Sequence, residues 1–352
     1  MNTPTLPPLI GMNLDELKAV AANGRMPSFV GKQLAEWLYD KKVTSFDQMI
    51  NISKKNREWL ATNYRIGRQA PARHSVSSDG TVKYLFATDR GPGVEAVYIP
   101  DHDRATLCVS SQVGCKMNCY FCATGRLGFK ADLSAAEIVN QFLSIPPEPA
   151  PGRARMQPLT NIVFMGMGEP LDNFKAVRRA IEILTAPWGL AWSPKRITVS
   201  TVGKLPELKD LLENTQVHVA VSLHTADSGE RQAMMPAQKA FPISSVVKLL
   251  KGYDFSHQRR LSFEYIMWRG VNDDIRHAEM LVKMIEGLDC RVNLIRFHAI
   301  PGVDLHPCSE ERMLMFRNFL NSKGITATIR ASRGEDIDGA CGMLAVRIPN
   351  NG

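Results

Sequence analysis

Apolar residues recur at helical spacing between residues 12 and 62 of the chain. Polar positions separate them in the way expected for helices that bury one face. Ser53 precedes a segment ending near Leu60 and can cap its first turn. The spaced apolar residues are Leu14, Leu17, Val20, Ala21, Leu34, Trp37 and Leu38. This pattern predicts a small helical domain, to which we assign residues 1–75.

Two strand-like runs follow this region, at residues 81–88 and 93–99. An Asp-Gly pair precedes the first run, and Gly-Pro-Gly lies between the two. Turn residues that bound and separate two such runs are typical of a β-hairpin. We therefore expect a hairpin within residues 76–103 that connects the helical domain to a larger domain at 104–352.

From residue 104 onward, short apolar runs alternate with longer segments of helical period. Strands are predicted at 105–110, 160–165, 196–201, 217–223, 261–268, 291–297 and 325–330, and helices within 133–144, 172–185, 242–252, 276–287 and 309–322. This alternation indicates an α/β fold with a parallel sheet, whose functional residues gather at the carboxyl ends of the strands. The period alone fits a partial barrel, a full barrel or an open sheet. The proline- and arginine-rich run 144–158 cannot continue the preceding helix and predicts a mobile connector.

Composition narrows the class of protein. With 352 residues, 44% of them hydrophobic, the chain can bury a sizeable core. No apolar run reaches the length of a membrane span and no signal peptide opens the chain, so we expect a soluble, cytoplasmic protein with reduced thiols. The net charge of +8 favours a polyanionic partner such as RNA. Basic clusters at 41–42, 54–57 and 65–73 make the amino-terminal region the better candidate for binding RNA.

Cys115, Cys119 and Cys122 form the motif C-x3-C-x2-C in the run Gly-Cys-Lys-Met-Asn-Cys-Tyr-Phe-Cys. Three thiolates on one short loop can hold three irons of a four-iron cluster and leave the fourth iron open. Structural zinc usually takes four ligands in two separated pairs, and a purely electron-carrying cluster usually has a fourth cysteine nearby. Neither alternative is excluded by spacing, but the open-cornered cluster fits the triplet best.

Longer motifs around this loop resemble a known family. The string Ser-Ser-Gln-Val-Gly-Cys-Lys-Met-Asn-Cys-Tyr-Phe-Cys-Ala-Thr-Gly at 110–125 is similar to that of the RNA adenine methyltransferases of the RlmN type, which are radical S-adenosylmethionine (SAM) enzymes. Gly-Met-Gly-Glu-Pro at 166–170, Ser-Leu-His at 222–224 and Gly-Ala-Cys-Gly at 339–342 extend the resemblance in the family's order. The resemblance implies a partial (β/α)6-type radical SAM barrel.

The same resemblance implies the cofactors and their ligands. One [4Fe-4S] cluster would be bound by the three cysteines, and two SAM molecules would be used per turnover. The implied SAM contacts are Phe121, Gly168, Glu169, Ser200, Ser222, Leu223, His224 and His298. His298 departs from the asparagine that is common in the family, although imidazole can also donate or accept a hydrogen bond.

The resemblance implies that the enzyme methylates carbon-2 of adenine. This carbon is an unactivated aromatic position, so its direct attack on the methyl sulfonium of SAM is not plausible. A radical route requires the methyl group to be held first on a protein atom, and a cysteine sulfur is a good nucleophile for that role. By resemblance, Cys341 accepts the methyl group, Cys108 resolves the covalent RNA adduct by forming a disulfide, and Glu95 removes the carbon-2 proton. Cys290 and Cys308 match nothing in the family pattern.

The resemblance also implies the partners. The substrate would be an adenosine of 23S rRNA, with an anticodon-loop adenosine of tRNA as a further target. An electron donor such as flavodoxin or ferredoxin is expected, and the enzyme is expected to be a monomer. Two alternatives remain at this point: a related methyltransferase that acts on carbon-8, and an iron–sulfur RNA-binding or electron-transfer protein that does not methylate.

Overall fold

A ten-stranded sheet organises the protein. The structure is a computed structural model that describes residues 6–146, 158–257 and 259–346. Most of the connector predicted at 144–158 lies outside the described residues. The helix before it ends at Leu143, where the prediction of a helix terminus is confirmed.

The sheet joins an antiparallel part to a parallel part. Its strands are β1 (Arg73–Val76), β2 (Val82–Thr88), β3 (Gly91–Asp101), β4 (Arg104–Cys108), β7 (Asn161–Phe164), β8 (Ile197–Thr201), β9 (His218–Ser222), β10 (Leu261–Met267), β11 (Arg291–Arg296) and β12 (Thr326–Ile329), while β5 (Gln112–Val113) and β6 (Ala131–Asp132) form a separate pair. Strands β1 to β4 pair antiparallel in chain order. From β4 onward each strand of the large sheet pairs in parallel with the next, ending at β12. The prediction of a parallel α/β sheet is confirmed, and the seven predicted strands match its seven parallel members.

The predicted hairpin is present as β2 and β3, but it belongs to the main sheet. β3 pairs with β4 along its second half, with Val97 opposite Cys108. Strand β1, which the sequence pattern did not predict, pairs with the outer side of β2. One continuous surface therefore runs from the hairpin into the parallel strands.

Of the α-helices in the described residues, three precede β1 and the other eight lie between successive parallel strands of the large sheet. They are α1 (Leu14–Asn23), α2 (Val30–Ala35), α3 (Lys54–Asn63), α4 (Ala123–Arg126), α5 (Ala135–Leu143), α6 (Phe174–Thr185), α7 (Leu205–Asn214), α8 (Ser228–Met234), α9 (Ile243–Leu250), α10 (Ile275–Ile285) and α11 (Glu310–Ser322). Each of the predicted crossover helices is present. Helices α7 and α8 were not among those predicted. No helix within the described ranges is long and apolar enough to cross a membrane.

The amino-terminal helices share their core with the sheet domain. A single cluster of buried apolar residues extends from Leu9 in the amino-terminal segment to Leu344 near the carboxyl terminus. The ring of Tyr39 lies 5.9 Å from that of Trp188, which follows α6. Glu16 of α1 forms an ion pair with Arg179 of α6. These contacts hold the first helices against α6 and the segment that follows it.

Candidate active site

The cysteine loop lies between β5 and α4, at the carboxyl end of β4. Gly114 begins it with φ +76°, and a Cβ atom there would lie 1.8 Å from the carbonyl oxygen of Gly128, so only glycine fits. The amide of Cys122 donates to the carbonyl of Cys119 (3.1 Å), which closes a tight turn. A second amide, that of Tyr120, donates to the carbonyl of Met234 (2.9 Å) and ties the loop to the end of α8.

The three thiols of this loop lie close enough to influence one another. Burial raises the pKa of Cys119 well above its ordinary value, and the neighbouring Cys122 and Cys115 add to that increase. Burial likewise raises the pKa of Cys115, to about 12. Thiolates in such surroundings need a compensating positive charge, which the irons of a cluster would provide. Among the described residues, no His, Cys, Asp or Glu trio is grouped to hold one single ion; cysteines that each bind a different iron do not need such a grouping.

A cavity of about 800 Å³, including its open mouth, adjoins the cysteines. Strand ends β7 to β11 and the cysteine loop form its walls. Its lining residues include Cys115, Cys119, Phe121, Cys122, Gly168, Glu169, Ser200, Thr201, Ser222, His224, Glu264, Ile266, Ile295 and Cys341. The structure thus brings together all three predicted cluster ligands and six of the eight predicted SAM contacts.

Glu169 is a buried carboxylate in the wall of this cavity, with 3% of its surface exposed. One carboxylate oxygen accepts from the amide of Leu171 (3.1 Å) and the other from that of Val202 (3.0 Å). Burial raises the pKa of Glu169 to about 7, although these hydrogen bonds and one from Thr201 oppose the increase. A cationic ligand in the cavity would therefore gain a well-positioned acceptor.

The two glycines before Glu169 bring its strand against the segment that follows β4. Gly168 has φ +102°, and a Cβ atom there would lie 2.6 Å from Cβ of Gln112. At Gly166 it would lie 2.7 Å from Oγ of Ser110. Close packing of the two segments fixes the distance between the cysteine loop and Glu169.

Phe121 and His224 form an aromatic part of the cavity wall, with Trp268 packed behind them. The ring of His224 meets the ring of Phe121 edge-on at 4.9 Å, and Trp268 lies 5.0 Å from Phe121. Nδ1 of His224 accepts from the amide of Ile266 (3.1 Å). Burial, and then the nearby Arg231, lower the pKa of His224 to about 3, so its ring is neutral at physiological pH.

A second cavity adjoins the first, and Cys341 lines both. Other walls of the second cavity are formed by Ile99, Cys108, Met165, Ile295, Arg296, His298, Arg330, Ala331, Ser332 and Arg333. Desolvation raises the pKa of the Cys108 thiol, and the Cys341 thiol adds to that increase, while Arg330 opposes it. Desolvation also raises the pKa of Cys341, again against Arg330. The two predicted catalytic thiols therefore share one cavity and one neighbouring cation.

The loop that carries Cys341 is held by polar contacts from the hairpin. Oδ1 of Asp336 accepts from Oγ of Ser77 (2.5 Å), and the amide of Gly334 donates to Asp79 (3.0 Å). On the other side, Oγ1 of Thr124 donates to the carbonyl of Leu344 (2.6 Å). Cys341 lies at the tip between these anchors. The residue as a whole is exposed there, while its thiol, in the lining of both cavities, is desolvated.

Glu95 lies on β3 with its side chain buried, on the same sheet face as Cys108. Its Oε1 forms an ion pair with Nζ of Lys83 (3.2 Å), and its Oε2 accepts from the amide of Ala345 (2.9 Å). Lys83 also donates to the carbonyl of Asp338 (3.3 Å). The carboxylate is therefore fixed between the hairpin and the Cys341 loop.

Two predicted SAM contacts do not line the first cavity. Leu223 is fully buried, and its carbonyl accepts from Nε of Arg231 (3.1 Å). His298 lines the second cavity, where its Nε2 lies 3.1 Å from Oγ of Ser332 and its Nδ1 lies 3.1 Å from Glu335. A role for either residue in SAM binding stays a prediction.

Sequence reasoning missed Glu264, a buried residue on the cavity wall. Its Oε1 accepts from Asn293 (2.7 Å) and Ser262 (2.9 Å), and its Oε2 has no hydrogen-bond partner among the described residues. Burial raises its pKa, against opposing effects of which Arg330 is the largest. The period-two pattern of β10, which places Ser262, Glu264 and Ile266 on one face, is the signal that could have found it.

These features fit the implied cofactors. The thiols of one loop face a cavity with a carboxylate, two strand-end hydroxyls and an aromatic wall. SAM offers an ammonium, a ribose diol and an adenine ring, each of which has a complementary group here. The donor set suits a thiolate-bound cluster with SAM beside it.

Comparisons with known proteins agree with this arrangement. Residues 109–281 match the Radical SAM superfamily, and residues 8–66 match the ribosomal RNA large subunit methyltransferase N-terminal domain. A probable dual-specificity RNA methyltransferase RlmN of Bacteroides fragilis is 56% identical over 96% of both chains. A dual-specificity RNA methyltransferase RlmN of Syntrophobacter fumaroxidans is 42% identical over 90% of this chain and 92% of its own.

A solved structure extends the likeness to three dimensions. The crystal structure of a radical SAM methyltransferase from Sphaerobacter thermophilus has a TM-score of 0.88 and 38% identity, with 96% of this chain and 99% of that chain covered. Sequence relatives, structural likeness and site geometry agree on one assignment. The chain belongs to the RlmN family of radical SAM RNA methyltransferases.

Proposed function

We propose that this enzyme methylates carbon-2 of an adenosine in 23S rRNA and of an anticodon-loop adenosine in tRNA. The observation that carries the proposal is the position of Cys341, which lines both the cavity beside the cysteine loop and the arginine-lined second cavity. A side chain in that position can take a methyl group from one cavity and deliver carbon to a base in the other. The relatives are named as RNA methyltransferases of dual specificity, which supports two RNA substrates.

Cys115, Cys119 and Cys122 would hold the cluster, and the first cavity would hold SAM. When bound, these groups supply a methyl group and, after one-electron reduction by a flavodoxin- or ferredoxin-type donor, hydrogen-atom abstraction. Glu169 is placed to accept hydrogen bonds from the ammonium group of SAM. Ser200 and Ser222, at neighbouring strand ends, offer hydroxyls to the ribose.

The aromatic wall would orient the adenine ring of SAM. His224 is neutral because its pKa is held near 3, so it does not repel the sulfonium. Phe121 presents an apolar surface to the ring. Two SAM molecules per turnover follow from the two tasks, since one provides the methyl group and the other the hydrogen abstraction.

Two thiols would carry the substrate through covalent steps. Cys341 Sγ, as a thiolate, takes the methyl group, and its methyl carbon is later joined to carbon-2 of the target base. Joining that carbon, after it has lost one hydrogen atom, to carbon-2 leaves one unpaired electron on the ring. Glu95 removes the proton from carbon-2, and the unpaired electron passes to a one-electron acceptor such as the oxidised electron donor, which restores the aromatic ring. Cys108 Sγ then attacks Cys341 Sγ, the sulfur–carbon bond breaks, the electron pair stays on the released carbon, and a proton completes the new methyl group. The resulting disulfide needs two electrons from an external thiol reductant before the next turnover.

The second cavity suits a nucleotide drawn out of an RNA loop. Arg296, Arg330 and Arg333 line it, and guanidinium groups both pair with phosphate and stack on bases. A base within a helix hides carbon-2, so extrusion or a loop position is required. The basic residues at the cavity offset part of the extrusion cost.

The proposal is tested by anaerobic reconstitution with iron, sulfide, reductant, labelled SAM and fragments of 23S rRNA and tRNA. We expect 2-methyladenosine by mass mapping of the digested RNA. Cys108→Ala should accumulate a covalent protein–RNA adduct, and Cys341→Ala should incorporate no label into RNA. Cys290→Ala, which removes a half-buried thiol outside both cavities, is the matched control and should behave like the parent.

Distinct results would overturn distinct parts of the proposal. A product methylated at carbon-8 would assign the chain to the alternative specificity. Parental activity in both Cys108→Ala and Cys341→Ala would exclude the two-thiol route. SAM cleavage without methylation of either RNA would exclude both substrates.

A further inference from the structure

Arg231, on α8, is a fully buried cation with no exposed surface. Its guanidinium donates to five acceptors. These are the carbonyls of Leu223 (3.1 Å), Val202 (3.1 Å), Ser222 (2.9 Å) and Phe241 (3.5 Å) and Oε1 of Gln238 (2.5 Å). All five are neutral, and no carboxylate among the described residues forms an ion pair with Arg231. Its charge is hydrogen-bonded but not balanced.

An unbalanced buried charge is expensive to maintain. Removing an ion from water is costly unless a counter-charge lies nearby. Desolvation lowers the pKa of Arg231 to about 10, which still leaves it charged at neutral pH. Hydrogen bonds to neutral groups therefore do not account for the presence of a buried, charged side chain at this position.

The counter-charge lies at the cysteine loop. Helix α8 ends at Met234, whose carbonyl accepts from the amide of Tyr120 between Cys119 and Cys122. Two acceptors of Arg231, the carbonyls of Val202 and Ser222, belong to residues that line the same cavity as the three cysteines. His224, which also lines this cavity, is neutral at physiological pH, so it does not supply or cancel this charge.

We propose that Arg231 is a buried counter-cation of the thiolate-bound cluster and raises the cluster's reduction potential. Reduction adds an electron to a site that already carries three thiolates. A fixed positive charge in a low-dielectric wall favours the more negative, reduced state. This inference rests on the cluster of the proposed function. All of the N–H donors of Arg231 are used by the protein, so Arg231 acts on the cluster through its charge and not through a hydrogen bond.

The charge can be altered without removing the hydrogen bonds. Oε1 of Gln238 accepts from Arg231 and from the amide of Ile243 (3.0 Å). Gln238→Glu keeps that oxygen and adds a negative charge beside the guanidinium. Arg231→Lys and Arg231→Met form a second pair, because both remove the guanidinium contacts and only the lysine keeps the charge.

The measurement is a redox titration of the reconstituted cluster, followed by electron paramagnetic resonance. We expect Gln238→Glu and Arg231→Met to lower the equilibrium constant for cluster reduction at least about tenfold, which corresponds to about 59 mV for one electron. Arg231→Lys should stay near the parent even if its melting temperature falls. The contrast between lysine and methionine separates charge from structure.

Parental potentials in both Gln238→Glu and Arg231→Met would overturn the inference. If Arg231→Met does not fold, Gln238→Glu decides alone, because its hydrogen bonds are retained. A parent protein that binds no cluster would instead overturn the proposed function. The two failures are therefore distinguishable in one set of titrations.

Discussion

Glu95 combines burial with fixed partners on both of its oxygens. Glu95→Gln keeps an acceptor for the amide of Ala345 but removes the negative charge that faces Lys83. We expect the rate of RNA methylation to fall by about 10²–10⁴, the usual contribution of a general base. SAM cleavage should continue, because the first cavity is unchanged.

The measurement for Glu95 compares 2-methyladenosine with 5′-deoxyadenosine by mass spectrometry. Glu58→Gln, on the exposed face of α3, is the control and should match the parent. If Glu95→Gln methylated RNA as fast as the parent, Glu95 would not be the base that removes the carbon-2 proton.

His218, at the start of β9, gives the protein a pH-dependent stability. Desolvation, followed by Arg260 and Lys195, lowers its pKa from 6.5 to about 4. Between these values the unfolded chain binds more protons than the folded chain, so the stabilisation is complete above pH 6.5 and is lost as the pH falls towards 4. Urea unfolding across this interval should show a weaker pH dependence in His218→Gln than in the parent.

The exposed His306 provides the control for that experiment, and His306→Gln should follow the parent curve. Identical pH dependence in His218→Gln and the parent would show that His218 contributes nothing.

Residues with a sequence motif could be predicted, whereas residues defined only by their surroundings could not. The cysteine triplet and Glu169 stand in motifs, and the structure brings them to one cavity. Arg231 and Lys83 stand in unremarkable stretches of sequence. Their importance arises from burial and from partners far along the chain, and neither property is visible in composition or local spacing.

At the scale of elements, the turn after β7 depends on glycine for two separate reasons. Gly168→Ala would adopt a positive φ and would also force a Cβ atom to 2.6 Å from Gln112. Gly287→Ala has a comparable φ of +80°, with nothing within 4 Å of the new atom. Both variants should lose about 1–2 kcal/mol to backbone strain, and Gly168→Ala should lose about 1–3 kcal/mol more through overpacking.

Thermal unfolding and SAM binding measure this difference. Gly168→Ala should also bind SAM more weakly, because the shifted turn carries Glu169. If the two variants were equally stable and bound SAM equally well, the close approach at Gly168 would have no energetic role.

Strong apolar periodicity made the parallel strands and most crossover helices predictable. Val219, Ala220 and Val221 of β9, for example, form a run that is buried on both faces of the sheet. Strand β1 has four exposed residues and therefore no apolar pattern at all. Its existence follows from backbone pairing with β2, which a single-sequence pattern does not encode.

At the scale of the whole molecule, net charge should govern RNA affinity. Phosphate contacts release counterions, so the dissociation constant should rise steeply with salt. Lys54→Ala/Lys55→Ala, at the amino-terminal start of α3, should weaken binding and flatten the salt dependence. Lys248→Ala/Lys251→Ala removes the same charge around the end of α9 and is the matched control. Binding of labelled RNA at several salt concentrations measures both, and equal effects of the two pairs would remove the amino-terminal helices from the interface.

The strand order begins at β1 and ends at β12, and these two edges do not pair with each other. A closed ring would admit only what fits through its mouth. An open barrel, with a gap between its edge strands, can bind a nucleotide from the middle of a long RNA without either end of that RNA passing through the site. We therefore expect a target loop within a long RNA to be as accessible to the enzyme as the same loop in a short fragment.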